Sequence, residues 1–327
     1  MRRVFLSLVA LLVLSAIAAG GVYVWGHAQF TRPGPLAAPV TIVIPKGKGL
    51  AAIAGRLTEA GVVANPIIFR LGARLIKADK GLQAGEYAFP VAISMREVLE
   101  LLNSGKTVVR RFTVVEGMTA AKIVKLLTAL DGLSGDIAQP PGEGELLPET
   151  YHFSYGDTRN DVVDRMAGAM TRTLRELWPA RAPGLPLKNE LEAVVLASMI
   201  EKETGLADER ARVAAVFVNR LARGMRLQSD PTVVYALTEG KGDLGRTLTR
   251  ADLKTPSPYN TYVNKGLPPA PICNPGRESL VAALHPAKTK ELYFVADGSG
   301  GHLFASNLAQ HNRNVARWRK IRKQQKK

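Results

Sequence analysis

Asn189-Glu190-Leu191-Glu192-Ala193-Val194-Val195-Leu196-Ala197-Ser198-Met199-Ile200-Glu201-Lys202-Glu203-Thr204-Gly205 is the stretch on which the reading of this chain turns. Asn189 supplies an N-cap, Glu192 stands at the capping-box position and Gly205 closes the end, which predicts a helix over about 190–204. On a wheel of about 100° per residue, Leu191, Val194, Val195, Leu196, Ala197, Met199 and Ile200 point in almost every direction. A helix carries that pattern when it is buried on most sides. Glu192 and Glu203 share one polar stripe, so Glu203 is expected to be structural or solvated, whereas Glu201 falls roughly opposite, between Ala197 and Val194. A carboxylate there is either paired, with Lys202, Arg210 or Arg212 as partners, or held in an apolar wall with its pKa above about 4.3, the state that a general acid near neutral pH requires.

Working outward, Asp161 to Trp178 reads as a long helix and Pro140 to Gly144 as a surface loop. Further upstream an internal echo stands out. Thr41 to Gly47 reads as a strand closed by a glycine, followed by Leu50, Ile53, Ala54 and Leu57 at helical spacing. Seventy residues on, Phe112 to Gly117 and then Ala120, Ile123, Val124 and Leu127 repeat the pattern, with Gly117 matching Gly47 and Ile123 matching Ile53. Such units bury one helix face on a small sheet. Between them Pro66 to Leu75 and Ser94 to Leu102 read as short helices and Gly85 to Phe89 as a strand, α+β material in small pieces.

The N-terminus carries a different signal. Met1-Arg2-Arg3 precedes Val4 to Gly26, 23 residues without a charge, long enough at about 1.5 Å per residue to span a bilayer. Arg2 and Arg3 put residues 1–3 in the cytoplasm, and Tyr23 and Trp25 fall at the outer interface. The run exceeds the h-region of a cleaved signal peptide, so residues 4–26 are expected to be a retained anchor. Residues 27–40, with Pro33, Pro35 and Pro39, suit a stiff spacer.

The 327 residues carry 44 Lys and Arg against 28 Asp and Glu, a net charge of +16, with 46% hydrophobic residues: an ordered chain long enough for two domains. Eight basic residues and no acid lie between Arg313 and Lys327, so half the excess charge sits in a tail, expected to be a solvated extension. With the body behind an export segment, nucleic acid is not the expected partner. The single Cys273 excludes an internal disulfide, and the five histidines show no metal-ligand spacing, so no metal is expected.

Leu196 to Thr204, Val216-Phe217-Val218-Asn219-Arg220-Leu221, Met225-Arg226-Leu227-Gln228-Ser229-Asp230-Pro231-Thr232-Val233, Tyr259-Asn260-Thr261-Tyr262 and Gly266-Leu267-Pro268-Pro269, closing with Tyr293-Phe294-Val295-Ala296 and Gly301-His302-Leu303-Phe304, closely resemble the endolytic murein transglycosylase (YceG-like) family. The resemblance implies an α+β chain: an N-terminal transmembrane helix, a small LysM-like α+β module over 41–110, a mixed α/β catalytic domain over 111–312 and the basic tail 313–327.

It also implies a lyase: an endolytic peptidoglycan lytic transglycosylase that leaves 1,6-anhydro-N-acetylmuramyl ends and needs no cofactor; tethering at the membrane surface, where new strands emerge, adds the expectation that it terminates nascent strands. Such an enzyme sits in the cytoplasmic (inner) membrane as a single-pass protein with its catalytic domain outside the cytoplasm. Its partners are glycan strands, with peptidoglycan synthases as further candidates. Glu201 is the catalytic acid by this resemblance. Gln228, Ser229, Tyr259, Asn260 and Tyr262 are weaker candidates for substrate binding, Gln228 through an N-acetyl group and the tyrosines through their stacking faces. Asn219 and Arg220 read as helix-end structure or as pairing for Glu203. Two other readings stay open: a wall-binding scaffold without catalysis, and a two-carboxylate hydrolase drawing on Asp208, Glu209, Asp230 or Glu149.

Overall fold

The computed structural model describes residues 2–325, in two compact units: residues 2–110 with 153–156, and residues 111–152 with 157–325. Met1, from the expected cytoplasmic end, and Lys326 and Lys327, from the basic tail, lie outside the described residues. The described residues form α-helices and three two-stranded sheets, an α+β chain.

The first unit opens with helix α1 (Arg2–Thr31), long and apolar enough to cross a membrane. It continues with β1 (Val40–Ile44), α2 (Leu50–Glu59), α3 (Pro66–Leu75), β2 (Gly85–Phe89) and α4 (Met95–Ser104). β1 and β2 pair antiparallel from Val40 opposite Phe89 to Ile44 opposite Gly85. The alternation of the strand buries Ile42 and Ile44 against Ile53 and Leu57 of α2, Phe69 of α3 and Val98, Leu99 and Leu102 of α4. Asn65 accepts from the N–H groups of Ile67 and Ile68 to start α3, with Pro66 in the first turn. Ser94 and Glu97 form a reciprocal capping box at α4.

Residues 27–40 do not stand off as a spacer. α1 runs on to Thr31 and plants Phe30 in the core of this unit; beyond it the Gly34 N–H donates to Ala92 O at 3.0 Å and the Ala92 N–H to Leu36 O at 2.9 Å. The prolines fix an extended backbone that is laid along the unit, not held away from it.

The second unit begins with β3 (Val109–Thr113) and α5 (Ala120–Ala129). Gly47 and Gly117 both take left-handed φ, +73° and +76°, and Leu57 and Leu127 are both fully buried, so the echo in sequence is an echo in structure. After β4 (Thr150–Ser154) come α6 (Arg159–Leu177), α7 (Glu190–Glu203), α8 (Ala207–Ala222), α9 (Asp230–Thr238), α10 (Arg277–Leu284), the hairpin of β5 (Tyr293–Ala296) and β6 (His302–Ala305), and α11 (Leu308–Gln325). α7 is the axis of this unit: the eight residues Ala193 to Ile200 are all buried, and the helix packs against α10, α8 and α9. Asn189 caps it through the Glu192 N–H, but Glu192 reaches Lys188 N–H and closes no reciprocal box.

Two loop readings change. The segment around Pro140 to Gly144 is not simply surface loop, because the Glu143 carboxylate turns inward to accept the Ala120 N–H at the start of α5, and burial raises its pKa to about 7. The basic tail is helical as far as Gln325: Trp318 and Ile321 lie against Gly298 of the hairpin turn and His311 stacks on Tyr293. The apolar and aromatic residues recur three or four apart among the charges, enough to fold the segment as an amphipathic helix.

Candidate active site

Glu203 is the last residue of α7, and the chain turns sharply there into α8. Its side chain enters a cavity of ≈ 320 Å³ whose walls come from Arg220 of α8, the 227–230 turn, Tyr262 and the β5–β6 hairpin. The Ser229 hydroxyl donates to Glu203 Oε1 at 2.5 Å. Burial raises the Glu203 carboxyl to about 7; the Ser229 hydrogen bond opposes the rise, the charge of Asp230 adds to it, and Arg220 partly offsets it. A carboxyl in that range holds its proton in a good fraction of molecules at neutral pH and gives it up readily.

The surroundings hold this geometry in place. Arg220 is buried, donating to Leu292 O at 2.6 Å and to Leu227 O at 2.8 Å, which clamps the 227–230 turn to α8 and to the strand that follows it. Gln228 sits in the left-handed region at φ +52°, a backbone state that costs a non-glycine residue on the order of 1 kcal/mol. Its N–H is tied to Thr261 O at 3.1 Å and its side chain lines the cavity. Ser229 N–H donates to Thr261 Oγ1 at 3.0 Å, and Thr232 Oγ1 lies 2.9 Å from the same atom. Asp230 Oδ1 accepts from the Tyr262 hydroxyl at 2.6 Å. On the hairpin side the His302 N–H donates to Glu209 Oε1 at 2.8 Å, and its ring stands edge-on to Phe294.

Of the residues named from sequence, Gln228, Tyr262 and Ser229 converge on Glu203. Tyr259 does not: its ring packs on Tyr235 with centroids 4.8 Å apart. Asn260 is fully buried scaffold, its amide donating to Leu253 O and Thr255 O and its Oδ1 accepting the Tyr262 N–H. Asn219 is likewise structural, donating to Thr289 O and Glu291 O. Glu201 lies elsewhere. Its Oε2 accepts the Gly276 N–H at 2.9 Å just before α10, beside Glu116, whose own carboxyl is raised by burial and then by the charge of Glu201.

The wheel separates Glu201 from Glu203 correctly but misjudges which side is covered. Glu192 lies at the open end of the stripe, while the other end is roofed by the 227–230 turn and the hairpin, so of the two expectations for Glu203, structural or solvated, the solvated one fails. Asp230, Arg220, His302, Thr232 and Thr261 complete the site or its support. The sequence marks Asp230 as a candidate second carboxylate and Arg220 as helix-end structure or pairing for Glu203, whereas the two threonines give no signal beyond their neighbours.

Comparison with known proteins places the chain. The family model described as the YceG-like family matches residues 42–317. A Bacillus subtilis protein named endolytic murein transglycosylase is 32% identical over 308 residues, covering 84% of this chain and 83% of that protein. A protein of the same name from Streptococcus pneumoniae is 30% identical over 325 residues; the alignment covers 85% of this chain but 58% of that longer protein. The 2.6 Å crystal structure of a yceG-like protein from Listeria monocytogenes superposes with a TM-score of 0.52 at 30% identity, over 85% of this chain and 99% of that one. With the family model running from β1 into α11 and the relatives agreeing over most of the sequence, this chain belongs to the YceG-like family.

Proposed function

We propose that this protein is a murein transglycosylase that cleaves the glycan strands of peptidoglycan internally, with Glu203 as its acid and base. The observation that carries the reading is the Glu203 carboxyl, raised to about 7 in a cavity shared with Gln228, Asp230 and Tyr262. Neutral Glu203 donates its proton to the glycosidic oxygen as the bond to the anomeric carbon breaks. The C6 hydroxyl of the same N-acetylmuramyl unit then attacks that carbon, and the Glu203 carboxylate takes the hydroxyl proton. The product is a 1,6-anhydro end, formed without water, and the enzyme returns to its starting state. Attack within one sugar ring needs no second reactant to be held, so proximity is built into the substrate. Asp230, near enough to raise Glu203, favours the protonated acid at the start of the cycle, and Gln228 is placed to bond an N-acetyl group.

The family resemblance alone points to Glu201; the Glu201 bond to the Gly276 N–H and its position outside the cavity favour Glu203 instead. Paired variants decide. Digestion of purified sacculi followed by mass spectrometry is expected to show anhydro products lost by 10²-fold or more in Glu203→Gln, the usual scale for removing a general acid, and largely kept in Glu201→Gln. The reverse order returns the role to Glu201. Products kept in both variants place the acid elsewhere, and a parent that releases none is a wall-binding scaffold.

A second reading rests on Asp230. As a carboxylate in the same cavity it supplies what a hydrolase needs to activate water. Digestion in heavy-oxygen water separates the two, because hydrolysis labels the reducing end and transglycosylation leaves it unlabelled. The remaining parts of the proposal follow from the sequence. α1 anchors the enzyme in the cytoplasmic membrane with its catalytic unit outside. Residues 41–110, which include β1 to α4, act as a LysM-like module, and the enzyme terminates nascent strands beside the synthases that make them.

A further inference from the structure

The outer end of α1 is fused to the rest of its unit. Ala19, Val22, Tyr23, Gly26 and Phe30 recur three or four apart and form one stripe of the helix. α3 lies against that stripe. The Phe30 ring seats on the backbone of Gly72, where a Cβ would come within 2.4 Å of it, and Phe30 is buried in the same core as Phe69 and Val98. Beside this contact α1 and α3 enclose a trough of ≈ 540 Å³, open to the outside and lined mainly by apolar side chains: Val22, Tyr23 and Trp25 from one wall, and Ile68, Leu71 and Leu75 from the other.

α3 is apolar on its outer face as well. Ile67, Leu71 and Leu75, spaced four apart, are 63%, 54% and 70% exposed, and Ile76 follows at 49%. Arg74 and Lys77 stand exposed beside them, and Arg70 is partly so. A water-soluble unit places such a face against something.

Depth identifies what covers it. The uncharged run of α1, Val4 to Gly26, is about 34 Å long at ~1.5 Å per residue, close to the ~30 Å hydrocarbon thickness of a bilayer. The trough is walled by α1 residues from Ala19 to Phe30, which begin inside that run and end just beyond it. A side chain packed at the level of Val22 and Tyr23 lies at the same depth in the bilayer as they do. If α1 spans, Leu71 and Leu75 cannot be in bulk water.

We propose that α3 is a second membrane element: its Ile67-Leu71-Leu75-Ile76 face sits in the outer leaflet, lipid acyl chains fill the trough, and Arg70, Arg74 and Lys77 reach the phosphate headgroups. The unit is thus held by a spanning helix and an interfacial one, which fixes its tilt as one helix alone does not. The proposal rests on α1 being a membrane anchor and is independent of the chemistry at Glu203.

The test uses the full chain in vesicles of phosphatidylethanolamine and phosphatidylglycerol, with an environment-sensitive fluorophore on Leu71→Cys, Leu75→Cys or Leu12→Cys. Cys273 is fully buried and does not compete for the label. The expected result is quenching at all three positions by nitroxides on the lipid acyl chains, with protection from iodide in the water. Quenching at Leu12 with Leu71 and Leu75 open to iodide overturns the proposal while leaving the anchor. Protection of Leu71 and Leu75 from both quenchers overturns it in favour of a protein partner such as a second copy. Absence of quenching at Leu12 removes the anchor, and the proposal with it.

Discussion

Glu203 is raised because its carboxyl is taken out of water beside the charge of Asp230, and that sets two pH dependences of definite sign. For catalysis the reactive form is the protonated one, so the rate on sacculi is expected to fall about tenfold per pH unit above about 7, a limb that Glu201→Gln leaves in place. For stability the native pKa of about 7 stands above the ordinary carboxylate value of about 4.3, so the folded state binds the proton more tightly than the unfolded one. No penalty exists below about 4.3; it grows as pH rises and is complete above about 7. Glu203→Gln keeps an acceptor for the Ser229 hydroxyl and removes the penalty, so the variant is expected to be more stable than the parent above pH ~7 by up to about 3 kcal/mol, and equal to it near pH ~4. Thermal melts across that range check it; equal melting at both ends would mean that the site hydrates its carboxylate. Glu143, also raised to about 7 by burial, adds a contribution of the same sign to the parent and the variant alike. The sequence showed that α7 is buried and that Glu201 and Glu203 face apart, because both follow from helical period. Which glutamate enters the cavity depends on residues about 25 to 100 positions away, Ser229, Tyr262 and the hairpin, and period carries nothing about them.

Local elements were the most legible part. Asn65 before Pro66, Ser94 with Glu97, and the repeated strand, glycine and helix each satisfy a local rule, and each element forms where that rule puts it. The misread elements share a cause: residues 27–40 and the basic tail look polar or stiff by composition, yet each carries a few side chains or close backbone contacts that dock it. Gly34 is the clearest instance. Its N–H is bonded to Ala92 O, and a Cβ there would lie 2.1 Å from the Ile93 carbonyl oxygen, a backbone atom that cannot swing aside. Gly34→Ala is therefore expected to cost about 1 to 3 kcal/mol, the range for forced overpacking, and to expose the 33–36 segment to hydrogen exchange. A true spacer would tolerate the change without effect. The same measurement on Ser94→Ala, which loses the α4 capping box, is expected to show about 1 kcal/mol, with protection reduced at the start of α4.

The chain carries both an apolar N-terminal helix and the unit that holds Glu203, and on the proposed function the value of that arrangement depends on where the enzyme meets its substrate. Half of the net charge of +16 lies in the last fifteen residues, the described part of which is mostly in α11, so charge alone explains little of the targeting. The anchor proposed for α1 would offer more: an enzyme held at the bilayer has a raised local concentration against strands that emerge there and is kept from wall further out. Because Phe30 belongs to the core of the first unit, a soluble form must be cut after Gly26, not after the prolines. A cut at residue 40 would remove a core side chain and the Gly34–Ala92 bond and confuse loss of anchoring with loss of folding. The form that starts at His27, exported by a cleavable signal, is expected to digest purified sacculi as the full chain does in detergent, yet to leave longer or more varied glycan strands in cells at equal expression. Chromatography of strand lengths from the two cell types is the measurement. An unchanged distribution would mean that the active site finds its strands by affinity, with the membrane helix serving only to retain the enzyme.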